Sequence, residues 1–168
     1  MNEEVKRQTL VFPMEGSGLD QRVFLGKKKA IDKLGFGKIH GFGGNLQGGE
    51  GYLEAAAREL EEESGLRGLT EDLIYRAKLT IYEEGNLVRI VRSYCLYKWE
   101  GTPEITEEMD PISVLVNDLP LDQMFEDTSL WLPNILGGEE ISLRLWYSKN
   151  FGKLQSSSIL PFKHHEPD

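Results

Sequence analysis

Apolar positions along this chain cluster mostly in short alternating runs, with two stretches of helical character. Thr9-Leu10-Val11-Phe12 reads as a strand that Pro13 stops, because proline cannot donate to a sheet ladder. Gly16 to Asp20 is a turn, and Arg22-Val23-Phe24-Leu25-Gly26 is its hairpin partner. Leu79-Thr80-Ile81-Tyr82 predicts a short strand, and Glu84-Gly85-Asn86 a turn. Leu87 to Trp99, β-branched and aromatic, predicts the paired strand. A further extended piece runs from Ile112 to Val116 after Asp110-Pro111, and Ile141 to Tyr147 alternates as a strand. Helices are expected at Tyr52 to Ser64, rich in helix formers and stopped by Gly65, and at Ser129 to Leu136, ended by Gly137-Gly138. The tail from Lys163 to Asp168 is polar and is expected to be loose, with no role for His164 or His165. Strands on both sides of a central helix predict one α/β or α+β domain over 1–168, with a core of about 7–162.

On a helical wheel the acidic run of the first helix separates into two groups. Glu59, Glu62 and Glu63 share one narrow face, at i, i+3 and i+4. Leu53, Ala56, Ala57 and Leu60 form the adjacent face, expected to bury against a sheet, while Glu54 and Glu61 point into solvent. Three carboxylates at that spacing repel one another, which a hard cation would relieve. The wheel alone leaves a solvated acidic face and a cation site equally open. Just upstream, Gly41 to Gly51 is more than half glycine, a backbone able to adopt positive φ and to approach a ligand closely. No Gly-Lys-Ser/Thr follows it, so it is not a Walker A loop.

Composition narrows the classes. Hydrophobic residues at 39% and charged residues at 28% suit an ordinary folded domain rather than a disordered chain. A net charge of −9 argues against stable nucleic-acid or membrane binding. The charge is uneven: Lys27, Lys28, Lys29, Lys33 and Lys38 stand together, opposed by Asp32, ahead of the acidic helix. That arrangement suits a polyanionic ligand carrying a metal, although a solvated lysine loop has the same pattern. The single cysteine, Cys95, excludes an intrachain disulfide and reads as an inert buried thiol. The first six residues carry no apolar leader run, so a cytoplasmic protein is expected.

The spacing resolves the ambiguity of the wheel. Gly44, five residues, Glu50, seven residues, then Arg58-Glu59-Leu60-Glu61-Glu62-Glu63-Ser64-Gly65-Leu66 matches the Nudix box at every specified position. The chain therefore resembles the Nudix hydrolases. That resemblance implies a mixed sheet sandwiched between helices with a loop-helix-loop catalytic element. It also implies that the Gly43 carbonyl, Glu59, Glu62 and Glu63 hold Mg²⁺, with Mn²⁺ as a substitute. Arg58 would orient Glu59, Glu50 would set the loop against the helix, and Lys28 or a neighbour would hold outer phosphates. Within the family the chain looks most like the animal MutT homologues that act on oxidised purine nucleoside triphosphates such as 8-oxo-dGTP. The likeness runs from Thr9 to about Leu160 and rests on Gly41-Phe42-Gly43-Gly44, Glu100-Gly101-Thr102-Pro103, Glu107-Glu108-Met109 and the segment Phe125 to Pro133. It implies a further metal or base carboxylate at Glu108, and a base pocket of Thr9, His40, Phe125, Asp127 and Thr128. Here His40 stands where the family has an asparagine, Phe125 where it has a tryptophan, and Thr128 where it has a second acid. Arg89 falls on the strand position facing the base, and Trp131 is pocket wall or core. A monomer acting on a small nucleotide is expected. The alternatives are a Nudix pyrophosphatase of an ADP-sugar or dinucleoside polyphosphate, or a non-catalytic nucleotide-binding module.

Overall fold

The computed structural model describes residues 4–29, 34–165 and 167–168. Lys33 and Asp32 of the lysine stretch, Met1 to Glu3 and Glu166 lie outside the described residues. Among the described residues, eight strands form one mixed sheet: β1 (Lys6–Glu15), β2 (Arg22–Lys28), β3 (Ile39–His40), β4 (Ile74–Glu83), β5 (Asn86–Leu96), β6 (Met109–Leu115), β7 (Ile141–Tyr147) and β8 (Leu154–Leu160). Their order is β3-β2-β1-β5-β4-β7-β8, with β6 paired to β2 off that path. The β1–β5 and β4–β7 pairs are parallel and the others antiparallel. Helix α1 (Tyr52–Ser64) covers one face, closing a cluster of Val11, Phe42, Ala56, Leu60, Tyr94 and Leu96. Helix α2 (Leu132–Leu136) and the turn before it cover the other, with Trp131, Leu132 and Ile135 against Phe12, Leu79 and Leu143. The α+β sandwich expected from the sequence is the one observed.

Several elements differ from expectation for local reasons. Strand β1 continues through Pro13 to Glu15. Pro13 is the last residue paired with β5, directly before Met14 pairs with Val23 of β2, a changeover where a missing ladder donor is tolerated. Strand β4 begins at Ile74, five residues before the expected Leu79, because pairing with β5 carries the polar residues Tyr75 and Lys78, with Arg76 at the register shift between Tyr75 and Ala77. Its turn into β5 uses positive φ at Glu84 (47°) and Gly85 (83°), as a tight hairpin requires. The expected helix from Ser129 is split into a 3-10 turn over Glu126–Leu130 and the short α2. Strand β8 has no counterpart among the expected elements: Gln155-Ser156-Ser157-Ser158 is polar without apolar alternation, and pairing with the edge of β7 makes it a strand.

Described residues of the tail make specific contacts, against the expectation of a loose segment. The Asp168 carboxylate accepts hydrogen bonds from Arg7 Nε (2.9 Å), Tyr52 Oη (2.6 Å) and Arg92 Nη2 (3.0 Å). His164 Nε2 lies 3.0 Å from Glu140, and Phe162 packs its ring 4.8 Å from that of Tyr75. A polar tail reads as mobile in sequence because its partners, Arg7 and Arg92 on the sheet and Tyr52 on α1, are remote along the chain. No helix among the described residues is long and apolar enough to cross a membrane.

Candidate active site

The glycine segment runs along the free edge of β1. Val11 N–H donates to the Phe42 carbonyl (2.6 Å), Thr9 N–H to the Gly44 carbonyl (3.0 Å) and Leu46 N–H to the Arg7 carbonyl (2.9 Å). In an extended segment carbonyls alternate, so the Gly43 carbonyl faces away from β1. The glycines serve close approach rather than positive φ: in Gly41 to Gly51 only Gly49 is left-handed (80°). A side chain at Gly43 would land on the Thr9 carbonyl, and one at Gly44 on the Glu59 carboxylate.

Helix α1 is joined to this loop by one guanidinium. Arg58 donates from Nε to Glu50 Oε1 (2.6 Å), from Nη2 to Glu50 Oε2 (3.0 Å) and to the Asn45 carbonyl (3.1 Å). Its Nη1 reaches Glu59 Oε1 (2.9 Å) and Glu62 Oε2 (3.1 Å). The bonds from Arg58 hold Glu50 below the usual carboxylate range. Gly65 ends the helix in the left-handed region (φ 76°), its N–H on the Glu61 carbonyl. The buried arc of α1 is Ala55, Ala56, Leu60, Glu63 and Ser64, so it overlaps the carboxylate face instead of lying beside it. Leu53 is 39% exposed and Ala57 is at the rim, a correction to the wheel, because the sheet edge and glycine loop lie nearer the Glu63 side.

Glu63 is the consequence. It is 2% exposed, and its Oε2 has no hydrogen-bond partner. Burial pushes its carboxyl up to about 8, Glu59 and Glu108 add to this, and Lys28 and the Gly43 N–H oppose it. Glu59 is likewise raised, by burial first. Among the described residues no three His, Cys, Asp or Glu side chains converge at metal-binding distance as they stand. The donor set nonetheless fits a hard divalent cation: oxygen ligands only, an unpaired buried carboxylate oxygen, and mutually raised acids that a cation would relieve.

These groups open into one cavity of about 430 Å³. Its lining includes Arg58, Glu59, Glu62, Glu63, Glu108, Lys28, Gly43 and Gly44 together with Thr9, His40, Phe125, Asp127 and Thr128. Of the residues singled out in the sequence, Glu50 and Gly65 stay outside it. Both Asp127 and Thr128 are buried. Trp131 is both core and wall: it is 3% exposed, it lines the cavity, and its Nε1–H donates to Asp127 Oδ2 (2.7 Å). Tyr147 Oη–H donates to Asp127 Oδ1. Burial raises the Asp127 carboxyl while these two donors oppose the shift. His40 Nδ1 bonds the Gly41 carbonyl (2.7 Å), so the neutral ring keeps Nε2 as an acceptor. Burial, then Lys28, pushes this ring down to about 4. Cys95 is buried, and its thiol is pushed up to about 12 by desolvation, which fits an inert core residue.

Sequence reasoning missed Gln8, Asn45, Met124 and Phe151, which also line the cavity. Gln8 had a signal, since it alternates with Leu10 and Phe12 on one face of β1. Phe151 had none. It sits at φ 52°, rare for a bulky residue, with its ring 5.0 Å from Tyr147 and 6.4 Å from Phe125.

The NUDIX domain family model matches residues 7–134. The chain is 40% identical over 115 residues to the oxidized purine nucleoside triphosphate hydrolase of Danio rerio, covering 68% of this chain and 72% of that one. It is 35% identical over 116 residues to the protein of the same name from Mus musculus, covering 69% and 72%. In structure it is similar to the MutT protein from Bacillus halodurans, with a TM-score of 0.72 at 19% identity over 95% of this chain and 100% of that one.

Proposed function

This chain belongs to the NUDIX domain family, and from that premise we propose that it hydrolyses an oxidised purine deoxynucleoside triphosphate of the 8-oxo-dGTP type to the monophosphate and pyrophosphate, clearing damaged nucleotides from the pool. The observation that carries the reading is one cavity lined both by the α1 carboxylates and by Phe125, His40 and Asp127. It suits a ligand with phosphates and a flat base. The Danio rerio and Mus musculus relatives, both oxidized purine nucleoside triphosphate hydrolases, support the same substrate class.

Nudix hydrolases in general use divalent metal ions. Here Mg²⁺, or Mn²⁺ in its place, would be held by the Gly43 carbonyl, Glu59, Glu62, Glu63 and Glu108. The ion would neutralise phosphate charge and acidify the attacking water. The chain itself supplies the rest. Arg58 fixes the rotamer of Glu59 through a 2.9 Å bond and ties the loop to the helix through Glu50. One carboxylate of the cluster accepts the proton of the attacking water. Lys28 draws the phosphate oxygens in. Phe125 stacks on the base, and Thr9, His40, Asp127 and Thr128 bond its edges. The same reading takes 1–168 as one domain, a cytoplasmic monomer that keeps no hold on nucleic acid, in line with its net charge of −9.

Turnover with Mg²⁺ on 8-oxo-dGTP, 2-hydroxy-dATP, dGTP and ADP-ribose tests it. The highest kcat/KM is expected on an oxidised purine triphosphate. Preference for ADP-ribose over every triphosphate would overturn the assignment.

A further inference from the structure

Three cationic side chains line the cavity among the described residues: Lys28, Arg58 and Arg89. Arg58 is spent on Glu50, Glu59 and Glu62, and Lys28 acts on Glu63. Arg89 differs from both. It stands on β5, paired with Ile81 of β4 and Lys6 of β1. Paired residues share a sheet face, so Arg89 lies on the face of Leu10, Leu79, Ile81 and Val91, the apolar floor of the pocket. Its guanidinium lies 4.7 Å from the centroid of the Phe151 ring. Among the described residues it forms no ion pair, and its one hydrogen bond runs from Nη1 to Gln8 Oε1 (2.8 Å). Its Nε is buried without a partner. A buried Nε–H without an acceptor is costly unless a ligand supplies one, and the Nη groups beyond the bond to Gln8 have no protein acceptor among the described residues.

Two other polar groups of the pocket have the opposite sense. Asp127 is held by two protein donors, Trp131 and Tyr147, and keeps lone pairs for a ligand. His40 spends its donor on Gly41 and keeps an acceptor. The pocket thus offers these two acceptors and one cationic donor, beside the Thr9 and Thr128 hydroxyls, which can act in either sense and so do not discriminate. A guanine-type edge has the complementary set: N1–H and N2–H as donors, with a carbonyl oxygen as acceptor. An adenine-type edge puts an amino group where that carbonyl would be. We propose that Arg89 is a base-reading residue that donates to a carbonyl oxygen of a keto purine, so that the pocket takes guanine-type bases in preference to adenine-type ones. This rests on the purine triphosphate reading above and narrows it.

The test is titration calorimetry of the whole protein with dGMP, 8-oxo-dGMP and dAMP, which needs no metal, alongside turnover of the matching triphosphates. Arg89→Met, similar in volume and without a buried charge, should weaken both guanine-type ligands by about tenfold, the scale of one good base contact, and change dAMP less than threefold. Arg89→Gln serves as a second variant should the first lose its fold. Gln8→Ala removes the acceptor but keeps the guanidinium, and should retain the preference. Equal weakening of all three ligands by the Arg89 variants, or no weakening, overturns the proposal while leaving the purine assignment standing. Failure of the unaltered protein to bind any purine monophosphate or hydrolyse any purine triphosphate overturns both.

Discussion

Asp127 carries more of the pocket's order than its position in the chain suggests. It is 6% exposed, and each carboxylate oxygen has a protein donor, Trp131 on one side and Tyr147 on the other. Tyr147→Phe keeps the ring and removes the bond to Oδ1. It should cost about 1–3 kcal/mol, the penalty for a buried acceptor left short of its donor, read from urea denaturation at pH 7. His40 gives a pH signature. Its folded value of about 4 lies below the unfolded 6.5, so the unfolded chain takes up a proton first on acidification. The stability that goes with the neutral ring is present above pH 6.5 and is lost as pH falls from 6.5 towards 4. His40→Asn should flatten that part of the profile of melting temperature against pH, and an unchanged profile would refute the assignment. Both residues could be named from sequence. Their partners could not, because Gly41, Tyr147 and Trp131 became partners only through particular side-chain directions.

At the scale of elements, the loop and helix work as one piece because Arg58 and the glycines bring them into contact. Two loop glycines separate the roles. A methyl group at Gly43 would overlap the Thr9 carbonyl, while one at Gly48 meets nothing within 4 Å. Gly43→Ala should destabilise by about 1–3 kcal/mol through overpacking against backbone. Gly48→Ala should stay within about 0.5 kcal/mol. Chemical denaturation of the pair distinguishes close approach from simple loop flexibility. The C-terminal segment is a second joint between elements. Asp168 bridges α1 through Tyr52 and the sheet through Arg7 and Arg92. The limits of α1 and β7 were readable from their own residues, since capping glycines and strict alternation are local signals. The limits of β1 and β4, and the existence of β8, were not, because ladder partners decided them.

For the whole molecule, the metal site proposed at the carboxylates predicts a stability that depends on the ion. Glu63, buried with an unpaired oxygen beside Glu59 and Glu108, burdens the metal-free fold. Mg²⁺ at one hundred times its Kd should add about 2.7 kcal/mol, roughly 5–10 °C in melting temperature for a chain of this size. Glu63→Gln should remove that shift without lowering the metal-free midpoint. It should also cut kcat beyond the roughly hundredfold that loss of a supporting residue costs. A metal-dependent shift that survives in Glu63→Gln would sink the ligand assignment. By itself the sequence determined the family, the helix that carries the acids and the loop spacing, because these are fixed by short-range periodicity and by intervals counted along one segment. Tertiary structure alone decided that Asp168 ties helix to sheet, that Ser-rich residues form a strand, that Glu63 is buried rather than presented to solvent, and that Arg89 lies on the floor of the pocket with its Nε unpaired. Each of those depends on what a distant part of the chain brings to within hydrogen-bond distance, and no local pattern encodes it.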